Sequence, residues 1–113
     1  MTHRKKVTME KKTKFTTSDK IHNSVRLNKD FMMNIAKLGS EKPTAFKVFM
    51  FISQNMDANN ALCVSMKALG ETLGFSRTTL SRTVKYLKEN EWRYIRKLGT
   101  LNVYIINPEI IWK

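Results

Sequence analysis

The 113-residue chain holds one cysteine, two prolines and four glycines, and nine acidic residues stand against 21 lysines and arginines. A lone thiol forms no internal disulfide, and within the run Ala61-Leu62-Cys63-Val64 the expectation for Cys63 is a buried structural thiol. No apolar stretch reaches the roughly 18 residues that a membrane-spanning helix needs. The basic start has no apolar segment behind it, so no signal peptide is read, and a bacterial or mobile-element cytoplasm is the expected setting. There is no Gly-x-x-x-x-Gly-Lys-Ser/Thr loop, which argues against an ATPase. His3 and His22 do not form a metal-holding pair, and carboxylates at paired helical spacing are missing. Neither an enzyme, a metal site nor a cofactor is therefore expected.

What is abundant is positive charge, net +12. It is unevenly placed: residues 1–26 carry net +6, residues 27–61 net +1 and residues 62–113 net +5. An excess of this kind suits a polyanion, because neutralising phosphates releases their counterions. Nucleic acid thus ranks above an acidic protein or a membrane as partner. Residues 1–26 have few large apolar side chains and read as a disordered basic arm. It is either a solubilising tail or an arm in which Arg4, Lys5, Lys6, Lys11, Lys12 and Lys14 meet phosphates or a minor groove. Residues 27–113 read as one domain.

Within that domain, Asn28 reads as an N-cap followed by an apolar face of Phe31, Met32, Ile35 and Leu38, with Gly39 as the stop. Ser40-Glu41-Lys42-Pro43 opens a second helix, with proline suited to its first turn. Ala45, Phe46, Val48, Phe49, Met50, Phe51 and Ile52 make it apolar nearly all round, the mark of a central core helix. Asp57-Ala58-Asn59-Asn60 is a polar turn, and Leu62 to Val64 a short strand.

Ser65 then caps a helix that stops at Gly74, where glycine accepts a positive φ. Ser76 caps another, expected over about Arg77 to Asn90. Leu80, Val84 and Leu87 recur on its inner face. Thr83 sits where an apolar residue is more usual; its methyl is read as packing and its hydroxyl as bonding back to the helix. Gly70 lets the two helices approach closely. Two short helices joined by a tight turn, the second rich in arginine and hydroxyls, are the layout of a helix-turn-helix that enters the DNA major groove. Base readout is assigned to Arg77, Thr78, Ser81 and Arg82, because arginine pairs bidentately with guanine and hydroxyls read bases more flexibly. Phosphate contacts are assigned to Ser65, Lys67, Ser76, Thr79, Lys85 and Lys88.

Trp92 to Ile106 reads as a hairpin turning at Gly99-Thr100, with Arg93, Arg96, Lys97 and Thr100 as its DNA-facing side chains. Glu91 and Arg93 fit the first strand poorly and leave its register open. The resulting class is α+β, mainly helical: a winged helix-turn-helix with a C-terminal two-stranded wing.

At Phe75-Ser76-Arg77-Thr78-Thr79-Leu80-Ser81-Arg82, and at Gly99-Thr100-Leu101-Asn102-Val103-Tyr104-Ile105-Ile106-Asn107-Pro108, the chain resembles the RepL-type plasmid replication proteins. The similarity covers roughly residues 28–113. It implies a non-enzymatic initiator or maintenance protein that binds origin repeats in double-stranded DNA and recruits host replication proteins. The alternative is a plasmid-encoded repressor using the same face. A pure protein-interaction module is a third reading. A homodimer or multiple copies on DNA are expected, with the first helix or Ile110-Ile111-Trp112 as candidate interfaces, although closing the core is the slightly favoured reading of Trp112.

Overall fold

A computed structural model describes residues 24–98 and 102–113 of the chain. In chain order these form β1 (Arg26–Leu27), α1 (Met32–Glu41), α2 (Pro43–Asn55), β2 (Ala61–Cys63), α3 (Met66–Leu73), α4 (Arg77–Glu89), β3 (Ile95–Lys97), β4 (Val103–Ile106) and β5 (Ile111–Trp112). The class is α+β with helices dominant, as the patterning predicts.

Asn28 does cap, but it caps a single 3-10 turn, Lys29–Phe31, its side-chain oxygen accepting the Asp30 N–H at 3.0 Å. The α-helix begins only at Met32, which rotates the apolar face. Ile35 and Leu38 are buried, whereas Met32 is exposed, against expectation. Gly39 does not end α1 either. The stop comes from Pro43, whose ring disfavours helical geometry in the residue before it, and Lys42 sits at φ −135°, ψ 67°. Gly39 instead lies within the helix facing the Phe46 ring, which a Cβ there would meet at 3.4 Å, an ordinary contact.

Pro43 occupies the first turn of α2. Val48, Phe49 and Ile52 are wholly buried, with Phe46, Met50 and Phe51 partly covered, so α2 is the core helix. Leu69 from α3 and Leu80 and Leu87 from α4 close on it with no exposed surface. Burial on this scale stabilises by about 1.5–3 kcal/mol per side chain.

The hairpin is antiparallel, with Ile95 opposite Ile106 and Lys97 opposite Tyr104. It is not merely two-stranded, because β2 pairs with the other edge of β4 and gives the order β2-β4-β3. Side chains alternate across a strand. Tyr104 and Ile106 therefore enter the core with Ile95, while Arg96, Ile105 and Val103 take the outer face. Cys63, opposite Val103, is exposed, which corrects the expected buried thiol. The adjacent Leu62 packs against the core instead.

The first hairpin strand is shorter than expected. Trp92 and Arg93 lie in a turn before it, and Arg93 has φ 49°. The Asn90 side-chain oxygen accepts the N–H groups of Trp92 and Arg93, both at 2.9 Å. Asn107 donates to the carbonyls of the same two residues. Trp92 meets Phe31 edge-on, ring centres 5.4 Å apart.

Asn60, buried at φ 61°, ties the middle of the chain to its end. Its amide donates to the Ile106 and Ile111 carbonyls at 3.2 and 2.7 Å, and its side-chain oxygen accepts the Lys113 N–H. Finally, β1 pairs with β5, Arg26 opposite Trp112 and Leu27 opposite Ile111. Ile110 and Ile111 are buried and close the core, with Trp112 half-buried at its margin.

Candidate nucleic-acid interface

Local capping builds the α3–α4 unit. The Ser65 hydroxyl accepts the Ala68 N–H at 3.0 Å, satisfying one donor left free at the start of α3. Gly74 ends α3 at φ 77°, and both its N–H and that of Phe75 donate to the Gly70 carbonyl. Ser76 then restarts the helix by accepting the Thr79 N–H, and donates its own proton to the Thr79 hydroxyl. Gly70 is fixed by this turn. A Cβ there would lie 2.8 Å from the Phe75 carbonyl oxygen and 3.1 Å from a Leu80 methyl. The close approach read from the sequence is thus mainly one of turn to helix.

On α4, Leu80, Thr83, Val84 and Leu87 are buried, and the Thr83 hydroxyl bonds back to the Thr79 carbonyl at 2.8 Å. That inner face sets the outer one. Arg77, Thr78, Ser81, Arg82 and Lys85 are all exposed on it, along about two and a half turns of one rigid element. Lys67 and Glu71 of α3 border a shallow cleft with Arg77, so one carboxylate lies among these cations. Ser65 and Ser76 are exposed, but their oxygens already serve as caps. Thr79 and Lys88 are half-buried.

Arg82 has company that the sequence did not point to. It shares a cleft with Lys42, Pro43 and Thr44 at the start of α2, and with Tyr86. The Lys42 ammonium lies 5.3 Å from the centre of the Tyr86 ring. Tyr86 follows Arg82 by four residues, and that spacing was the one available signal.

The hairpin cations do not gather with this face. Arg96 lies on the outer face of the sheet opposite Ile105, while Lys97 turns the other way, its ammonium 5.8 Å from the Tyr104 ring centre. Arg93 stands in the turn and shares a cleft with Lys88 and Arg96. Lys88 lies about 16 Å along the helix from Arg77. Thr100 and the arm residues Arg4, Lys5, Lys6, Lys11, Lys12 and Lys14 lie outside the described residues.

Among the described residues no group of three His, Cys, Asp or Glu side chains could hold a metal ion. Among the same residues no helix is long and apolar enough to cross a membrane. What the α4 face offers is planar guanidinium forks, hydroxyls and an ammonium held by a stiff scaffold, a donor set suited to phosphates and base edges.

No curated protein and no solved structure matches the chain. The family model described as Firmicute plasmid replication protein (RepL) matches residues 6–113, essentially the whole length, and the chain belongs to that family.

Proposed function

We propose that this plasmid replication protein is a non-enzymatic binder of double-stranded DNA, a winged helix-turn-helix that reads repeats at a replication origin. The observation that carries the reading is the outer face of α4, where Arg77, Thr78, Ser81, Arg82 and Lys85 stand exposed on one side of a doubly capped helix pair. In this reading α4 lies in the major groove and its first turns meet base edges. Lys67, Lys85 and the hydroxyl protons of Ser65 and Thr79 meet the flanking phosphates, and Ser76, whose proton is donated to Thr79, reaches one only by giving up that bond. Lys97, at the end of β3, reaches the neighbouring backbone. Two copies on adjacent repeats, with host replication proteins recruited to them, complete the proposal.

The test is selection of bound sites from random duplex DNA, followed by mapping of the recovered sequence on the plasmid that encodes the chain. An array of sites beside the origin is the expected result. A single palindrome over a promoter would make the protein a repressor, and no enriched motif would remove the assignment of Arg77 and Arg82 to base readout.

A further inference from the structure

The three-stranded sheet covers the core with one face and, among the described residues, leaves the other partly exposed. On that outer face Ile105 of β4 stands between Arg96 and Ala61, and Val103 stands beside Cys63. Ile105, Val103 and Ala61 are half-buried, and the neighbouring Leu98 is 37% exposed. This apolar strip opens into two clefts that share Arg96, Ile105 and Pro108. One, of about 280 Å³, is bordered by Lys88 and Arg93, and the other, of about 360 Å³, by Trp112 and Lys113. Among the described residues no Asp or Glu side chain lines either cleft, and four cations, Lys88, Arg93, Arg96 and Lys113, border the apolar floor.

Two further observations bear on what fits there. Arg93 is held at its positive φ by backbone hydrogen bonds with Asn90 and Asn107, so the point from which its exposed side chain departs is fixed before any partner arrives. The far end of the surface is also remote from the start of α4. Arg82 borders Pro43 and Thr44 at the beginning of α2, whereas the Lys113 ammonium contacts the Met56 carbonyl just past its end. The 13 residues of α2 put about 20 Å between them.

A duplex offers phosphates to the cations but only scattered thymine methyls and sugar edges to the floor, no continuous apolar face. A helix with carboxylates on one edge and leucine-type side chains on its face satisfies both. We propose that the outer face of the sheet, with Lys88 at the end of α4, docks an acidic amphipathic segment of a partner protein, leaving the first turns of α4 free.

The experiment titrates the full chain with a synthetic helical peptide bearing glutamate and leucine at amphipathic spacing, followed by amide NMR shifts. Shifts are expected to cluster on β2, β3, β4 and Trp112. Ile105→Thr, which keeps the β-branch, and Arg96→Gln, an exposed site, should each weaken the peptide by about fivefold or more while melting normally. Duplex affinity of Ile105→Thr should stay within about twofold of the parent. Equal binding of a scrambled peptide of the same composition would reduce the effect to net charge and overturn the proposal, as would shifts centred on the first turns of α4 or no binding. A parallel loss of duplex affinity in Ile105→Thr would give this face to DNA instead. Intact duplex binding in the parent throughout keeps a failure here separate from a failure of the DNA reading.

Discussion

Arg82 stands exposed on α4 between Ser81 and the buried Thr83, close enough to the α2 start to share a cleft with Lys42 and Thr44. If its guanidinium forks onto a guanine, Arg82→Ala should cost about 1–3 kcal/mol on the selected site and far less on random duplex. Competition binding on both DNAs measures this. An equal loss on both would make Arg82 a phosphate contact. Tyr104 poses the opposite case, a polar atom with no partner among the described residues: its phenol oxygen is buried and accepts or donates nothing. Tyr104→Phe is therefore expected to leave stability unchanged or to raise it by up to about 1 kcal/mol. Burial also raises the phenol pKa of Tyr104, and that of Tyr94, above the ordinary 10.0; Tyr86 and Glu91 add to the shift at Tyr94. The unfolded chain thus gives up these protons first. The stabilisation is complete below the unfolded value near pH 10 and fades as pH rises through the higher folded value. Melting curves in alkaline buffers should show a shallower decline for Tyr104→Phe than for the parent.

At the scale of the element, two glycines inside helices make opposite predictions. Alanine normally gains about 0.5–1 kcal/mol over glycine within a helix. At Gly39 the new Cβ would rest on the Phe46 ring at 3.4 Å, an ordinary contact, so Gly39→Ala should be neutral or stabilising. At Gly70 it would meet a backbone oxygen at 2.8 Å, and the turn between α3 and α4 must shift. Gly70→Ala should lose about 1–3 kcal/mol of stability and weaken duplex binding with it. Thermal melts of the pair decide the matter, and a stabilised Gly70→Ala would contradict the packing described. The α3–α4 unit was legible in the sequence because its determinants are local. Ser65, Gly74 and Ser76 act on neighbours within four residues, and Leu80, Val84 and Leu87 follow the helical period. The hub at Asn60 was not legible, because its amide and carbonyl serve Ile106, Ile111 and Lys113, 46 to 53 residues away. Cys63 was misplaced for a related reason. A short apolar run does not tell which of two alternating faces is covered until Leu62 is seen opposite Tyr104. Gly39 does not mark the helix end because a glycine that ends a helix and one inside it that faces a neighbouring ring look alike in sequence.

For the whole molecule, charge is the quantity that matters. Cutting the chain before Ser24 removes seven lysines and arginines yet keeps the pairing of β1 with β5, which a cut after Arg26 would destroy. The shortened protein is expected to bind all duplexes less tightly, with the salt slope lowered by about 0.9 for each phosphate that the arm had neutralised. Affinities across a salt series measure it, and an unchanged slope would mean that the arm meets no phosphates. That same β1–β5 pairing makes the path from Arg26 to Trp112 a ring, whose entry and exit share one doorway. A dye on Ser24 and one on Lys113, beside the two ends of this pairing, would project from the same side of the fold. Energy-transfer distances from either dye to a bound duplex should agree, and a permuted chain with these ends joined should retain the fold.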